Sequence, residues 1–211
     1  SNNDNAIATK SIRKNGRSYV YVSGQAWRYW WREALQKNQG WELSPITRDG
    51  KIAFTNADPL MYADDDVFGY MRAAKDAELD ENGEPVKDKK GNIKMTNVTV
   101  TRVSPLKNSA IISAASVRPE ENWSSMSRQQ GDAVPYEKQE YCAIMKGMFS
   151  IDLSMIGTFS NYDRTGYKNL SITLLEEAVK KGAEEIEDPF VFDAKGNPKK
   201  MIRLATDIRQ K

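Results

Sequence analysis

The sequence predicts an α+β domain with extended loops, and three observations carry that prediction. Short alternating or β-branched runs recur along the chain. Only a few stretches place apolar residues at helical spacing, and clusters of Gly, Pro, Asn and Asp punctuate the rest. At 211 residues, 39% of them apolar, the chain is long enough for one cored domain carrying insertions.

Residues 1–18 are polar and carry Lys10, Arg13, Lys14 and Arg17 with no acid after Asp4, which reads as a basic loop. Tyr19 to Val22 is aromatic and β-branched, a short strand signal. Ser23 is placed to cap a helix over about 25–37. On that helix Trp27, Trp30, Trp31, Ala34 and Leu35 fall on one apolar stripe, and Gly40 ends it. Residues 41–60 read as irregular or short-strand structure, with turns at Asp49-Gly50 and Asp58-Pro59. Asp64, Asp65 and Asp66 stand in front of a helical segment through Val67 to Arg72, where acids suit the positive end of a helix dipole; adjacent helical acids face different ways and make a poor metal site.

Residues 76–92 are charged and rich in turn residues, an exposed hairpin or a mobile loop. Thr96 to Val103 and Ala110 to Ala115 read as strands, and 117–137 as a long polar insertion. Glu140 to Ile151 reads as one long strand and 157–169 as a loop. Leu170 to Lys181 is a helix supported by Glu176-Lys180 and Glu177-Lys181 pairs and ended by Gly182. Turns at Asp188-Pro189 and Gly196-Asn197-Pro198 precede a last strand near Met201 to Leu204.

The charge is nearly balanced, 31 basic residues against 29 acidic, but it is not evenly spread. Thr9 to Lys37 holds seven bases and one acid, and Lys89 to Arg118 holds six bases and no acid. Between them, Asp58 to Asp88 holds ten acids and three bases. Basic blocks of this kind either track a phosphate backbone or are solvated faces, and the acidic block is suited to a basic neighbour.

Composition also narrows the chemistry. There is no histidine, so the commonest general base and metal ligand is missing from this stretch. The single cysteine, Cys142, cannot form an internal disulfide. There is no apolar run of membrane-spanning length and no leader, so a cytoplasmic protein without a membrane partner is expected. Neither a phosphate loop nor a dinucleotide fingerprint occurs. No catalytic residue, metal or cofactor is expected.

Three constellations remain. At Ser23-Gly24-Gln25 a helix start offers backbone N–H groups, and the glycine admits close approach. Arg28 and Arg32 follow one turn apart, and like charges at that spacing repel by about 0.2–0.5 kcal/mol unless an anion relieves them. Arg102, Ser104 and Lys107 either hold phosphate or mark an ordinary exposed strand end. In the insertion, Trp123 or Met126 either wedges between stacked bases or lies on a disordered hairpin.

Four runs carry a resemblance. Tyr21-Val22-Ser23-Gly24-Gln25-Ala26-Trp27-Arg28-Tyr29-Trp30-Trp31-Arg32-Glu33 resembles the signature of the DevR-like, type I-B branch of the CRISPR Cascade backbone family. So do Asp64-Asp65-Asp66-Val67-Phe68-Gly69-Tyr70-Met71, then Arg102-Val103-Ser104-Pro105-Leu106, then Gly147-Met148-Phe149-Ser150-Ile151-Asp152-Leu153 with Gly157-Thr158-Phe159. They occur in the family's order between about residues 21 and 159.

The resemblance implies a modified RRM-like (ferredoxin-like) palm with an inserted thumb hairpin and additional loops. The palm spans 1–211, with insertions at about 74–94 and at 118–138, the latter being the thumb. Such subunits catalyse nothing; they stack as a filament along a CRISPR guide RNA and present it to target DNA. By resemblance, Ser23, Gly24, Gln25, Arg28 and Arg32 meet the RNA backbone, with Lys10, Arg13 and Arg17 nearby. Ser127, Arg128 and Gln129 sit near the thumb tip. Implied partners are guide RNA, target DNA, identical subunits and other Cascade subunits, and transposition proteins where a member serves a transposon. The family opens with a further strand and continues past a basic motif, so segments beyond both ends are expected. The alternatives are an RNA-processing endoribonuclease on a related fold, which generally relies on histidine, and a nucleic-acid-binding regulator, for which no helix-turn-helix signal occurs.

Overall fold

The computed structural model describes residues 2–3, 6–78, 86–88, 90–126, 134–162 and 166–205. Among these residues the architecture is mixed α and β, with mostly antiparallel pairing and three helices: α1 (Gly24–Gln39), α2 (Ala63–Phe68) and α3 (Ile172–Lys180). This agrees with the α+β expectation. The chain divides into two compact units, one made of residues up to Trp31 and Lys107–Ser150, the other of Arg32–Leu106 and Ile151 onward.

The first unit is built on a four-stranded antiparallel sheet. Its order is Met145–Lys146, Ile111–Ser113, Arg17–Val22, Ser11–Lys14. The basic loop expected over 1–18 is corrected here. Ser11–Lys14 and Arg17–Val22 form a hairpin closed by Asn15-Gly16, with Lys14 opposite Arg17. Asn15 and Gly16 have φ of 51° and 73°, the double left-handed geometry of a type I′ turn, and Asn-Gly is the strongest short signal for it. The pattern of two strands around Asn-Gly is therefore legible in the sequence, beneath the basic composition that masks it.

Helix α1 begins as its capping residue directs. The Ser23 hydroxyl accepts the Ala26 N–H at 3.3 Å, and the Ser23 carbonyl accepts that of Trp27. Trp27 and Trp31 pack with ring centroids 4.4 Å apart, and Phe149 meets both edge-on. The expected five-residue stripe is narrower than its spacing suggests: Trp30 is 50% exposed and Ala34 is exposed. Likewise the long strand expected over 140–151 is broken. Strand pairing resumes only at Met145–Lys146, and Gly147 follows, where an added Cβ would lie 2.8 Å from the Trp27 ring. The polar insertion forms a hairpin, Glu120–Met126 against Val134–Glu140, and Ala6–Ile7 pairs with its second strand in parallel.

The second unit has two small cores. Phe159, Leu170, Ala178 and Leu204 form one, with Leu174, Leu175 and Ile202 packed around them. Ala57, Tyr70 and Val100 form the other. Helix α3 is capped by Ser171, which accepts the Leu174 N–H at 3.4 Å, and Lys181 pairs with Glu177. The loop expected over 157–169 includes a buried strand, Thr158–Ser160, paired with Pro198–Arg203. Asp188-Pro189 marks an irregularity inside the strand Glu184–Phe192 rather than a chain reversal.

The helix expected through Arg72 stops at Phe68. Gly69 has φ of 72°, and a Cβ there would lie 2.4 Å from the Arg102 carbonyl oxygen. Close backbone approach at this glycine turns the chain into the strand Tyr70–Ala77, which pairs with Met95–Arg102 over eight residues. This ribbon is continued by Val86 and Lys94, whose N–H groups donate to Glu78 and Val86 carbonyls. Residues 79–85 and 89 of that insertion lie outside the described residues.

Candidate nucleic-acid interface

The hairpin of the first unit carries four cations in one tight turn of chain. Lys10, Arg13, Lys14 and Arg17 are all exposed, and none pairs with an acid among the described residues. The two-residue turn brings Lys14 and Arg17 directly opposite each other. Like charges so placed are destabilising, and an anion bridging them removes the repulsion. The arrangement suits a polyanion.

The start of α1 lies at the end of the same strand. Its first turn contains no acid. The close ligand approach expected at Gly24 is corrected, because the space beside it is occupied. A Cβ on Gly24 would lie 3.0 Å from the Asn108 amide nitrogen. That amide donates to the Gly24 carbonyl at 3.1 Å, and its oxygen accepts from Arg28 at 3.2 Å. Asn108, absent from the sequence-derived set, thus ties the helix entry to the strand beside it and orients Arg28. Nothing in its local sequence distinguishes it from any other surface asparagine. Gln25 is exposed and Arg28 is half-buried.

Arg32 belongs to the second unit, and the anion that relieves it is a carboxylate of the chain itself. Its Nε lies 3.6 Å from Asp64, and its guanidinium stacks 4.1 Å over the Phe68 ring. Burial lowers the Arg32 pKa against the pull of Asp64 and Asp65. Burial also raises Asp64, only partly offset by the Ser44 N–H that it accepts at 2.9 Å. The three acids do stand in the first turn of α2, as expected, and there they are also buried and committed to separate partners. Asp64 takes Ser44 and Arg32, Asp65 accepts the Asp58 N–H, and Asp66 takes Arg102 and the Gly157 N–H.

A pH dependence follows. Asp64 ionises at 3.8 when unperturbed and higher in the fold, so the folded chain holds its proton more tightly. Its contribution is therefore favourable below 3.8 and is lost as pH rises through the folded value. Asp64→Asn is expected to gain stability relative to the parent chain as pH is raised from below 3.8 toward neutral, read from urea unfolding at a series of pH values. A difference that does not change with pH would contradict this.

Arg102 is also corrected. It is 2% exposed, and every terminal nitrogen is spent inside the second unit. It pairs with Asp66, donates to the Asp66, Thr158 and Met155 carbonyls, and stacks 4.3 Å over Phe159. It is an architectural arginine, buried with four of its five N–H donors committed inside the unit. The Ser104 hydroxyl contacts the Val67 and Leu106 carbonyls. Lys107 remains exposed.

On the 120–140 hairpin, Trp123 is 76% exposed in mid-strand opposite Glu137. Met126 ends that strand opposite Val134. Ser127, Arg128 and Gln129 lie outside the described residues. A cleft of about 700 Å³ beside the hairpin is lined by Arg118, Asn122, Gln139 and Tyr141 together with Glu120 and Glu140. Its mixed charge makes it a poorer polyanion site than the acid-free hairpin.

Among the described residues no helix is long and apolar enough to cross a membrane. The chain matches no protein-family model and no curated protein sequence.

Proposed function

We propose that the chain is a non-catalytic, guide-RNA-binding backbone subunit of the type I CRISPR kind, on a modified RRM-like palm. It stacks with copies of itself along the RNA and presents the RNA for pairing with target DNA. The observation that carries the reading is the exposed hairpin with Lys10, Arg13, Lys14 and Arg17 and no acid, running directly into a helix start that is also free of acid. Arg28, oriented by Asn108, adds a further cation in the same unit. The four sequence runs quoted above support the same reading, and the exposed Trp123 on the 120–140 hairpin suits the wedge that a thumb requires.

The test is purification of the chain expressed with and without a CRISPR array and its partner subunits, followed by sequencing of bound RNA. Co-purified RNA of uniform length carrying repeat sequence is the expected result. Protein free of nucleic acid in both cases, with a working array and partners present, would sink the reading.

A further inference from the structure

The tip of the cationic hairpin holds two groups that can react with each other. Asn15 and Gly16 are both exposed, and the pair fills the turn between Lys14 and Arg17. In such a turn the hydrogen bonds run between the residues that flank it, so the Gly16 N–H stays out of the ladder. The Asn15 carboxamide has no partner among the described residues. Nothing lies within 4 Å of the place a Cβ on Gly16 would take, so the turn has room to rotate this nitrogen toward the carboxamide carbon. Lys10, Arg13, Lys14 and Arg17 border it on the same hairpin with no acid among them, which favours loss of a proton from the Gly16 nitrogen.

Other asparagines are held differently. The Asn92 amide donates to Asp88 at 3.4 Å and that of Asn197 to Asp193 at 3.1 Å. The Asn108 amide donates to the Gly24 carbonyl at 3.1 Å, and that of Asn169 to the Thr101 carbonyl at 2.9 Å. Each is followed by a residue whose side chain crowds its own nitrogen, namely Ile93, Pro198, Ser109 and Leu170, and Pro198 has no N–H at all. A second Asn-Gly pair, at 82–83, lies outside the described residues.

We infer that Asn15-Gly16 is a self-modification site: the Gly16 nitrogen closes on the Asn15 side chain, and the resulting carboxylate at the hairpin tip loosens the hold on a polyanion. The deprotonated Gly16 nitrogen attacks the carboxamide carbon. A new C–N bond forms, the bond to the amide nitrogen breaks, and ammonia leaves with a proton from solvent. Water then opens the cyclic imide at either of its carbonyls. One opening leaves an aspartyl side chain, the other an isoaspartyl link whose backbone runs through the former side-chain carbon. In net terms carboxamide and water become carboxylate and ammonium, with no oxidant or cofactor. Either product sets an anion between Lys14 and Arg17, where it relieves their repulsion and competes with phosphate for them. The isoaspartyl link also adds a backbone methylene and spoils the register that places Lys14 opposite Arg17. The chemistry is independent of the RNA-binding reading above, and its consequence for the interface rests on that reading.

The experiment ages the full chain in mildly alkaline buffer and follows each asparagine by peptide mass spectrometry, with an isoaspartyl methyltransferase to mark the isoaspartyl product. Asn15 is expected to convert at least about 10-fold faster than Asn92, Asn108 or Asn169, the factor that releasing one ordinary hydrogen bond contributes. Equal rates at Asn15 and at these committed asparagines would overturn the site, and this comparison needs no variant. Labelled oligouridylate then reads the consequence. The aged chain and Asn15→Asp are each expected to bind about 5-fold more weakly than the fresh chain at low salt, as the loss of one phosphate contact would require. Asn15→Gln should keep the fresh affinity on ageing. Equal binding by fresh and aged chain would overturn the effect on the interface. Binding by neither, with Asn15 converting as expected, would overturn the RNA reading and leave the modification site standing.

Discussion

Arg102→Met is expected to lower folding stability by about 3–5 kcal/mol, because it removes one partner of a buried ion pair and leaves the other uncompensated. Asp66 is 7% exposed, and its carboxylate, which also accepts the Gly157 N–H, loses its guanidinium partner. The carbonyls of Thr158 and Met155 each lose the bond from Arg102 in the same step, while Met155 still accepts the Thr158 N–H. These groups come from two separated stretches of the second unit, at Asp66 and over 155–158, so the loss reaches well beyond one contact. Urea unfolding of Arg102→Met, of Asp66→Asn and of the double variant is the measurement. The double variant should be more stable than the two single effects added together, since neither buried charge is then left alone. A cost for Arg102→Met below about 1 kcal/mol, the range of an exposed pair, would show that the guanidinium is not buried as described.

Lys10→Gln, Lys14→Gln and Arg17→Gln combined are expected to weaken single-stranded RNA binding on the order of 100-fold at 0.1 M salt. Each phosphate contact contributes a slope of about −0.7 to log K against log salt for single strands, so three lost contacts flatten the slope by about 2. The loss should be the same for unrelated RNA sequences, because phosphate contacts carry no base information. These three residues are exposed and make no described ion pair, so the folded state should tolerate the change. The measurement is a titration of labelled RNA at several salt concentrations. An unchanged slope would remove the hairpin from the interface, and a loss confined to particular sequences would mean that it reads bases. Arg32→Glu would not be an informative partner in such a set. It would place a carboxylate beside Asp64 and report on folding rather than on RNA.

The features legible in the sequence share a short range. Ser23 and Ser171 cap helices through a hydroxyl and an N–H three residues on, and Gly182 follows the helix end with φ of 85°. Asn15-Gly16 encodes its turn in two residues, although the basic composition around it favours a loop reading. Tyr19 and Tyr21 share a face by strand alternation alone. The charge blocks are equally visible, since they are counts along the chain. Where the reading fails, the deciding partner is distant. Arg102 stands in an acid-free block and reads as a phosphate ligand until Asp66 and the carbonyl of Thr158 surround it. Gly69 reads as one residue in a helical run until the backbone at Arg102 closes against it.

The sequence by itself determined where α1 and α3 start, where the hairpin turns, which segments carry positive charge, and that histidine-based chemistry is absent from this stretch. Tertiary structure decided which cations stay at the surface. Of the arginines nominated for phosphate, Arg102 is consumed by the fold, Arg32 is half-buried against Asp64, and Arg28 is oriented by Asn108. It also decided that Lys146 joins a row with Lys10 across strands more than a hundred residues apart in sequence. The physical reason is the range of the forces involved. Caps and turns are hydrogen bonds closed within a few residues, so their donors and acceptors are both in view in the local sequence. The fate of a cation depends on which carboxylate, carbonyl or ring the folded chain brings to it, and those partners are set by strand register and packing, not by neighbours in sequence.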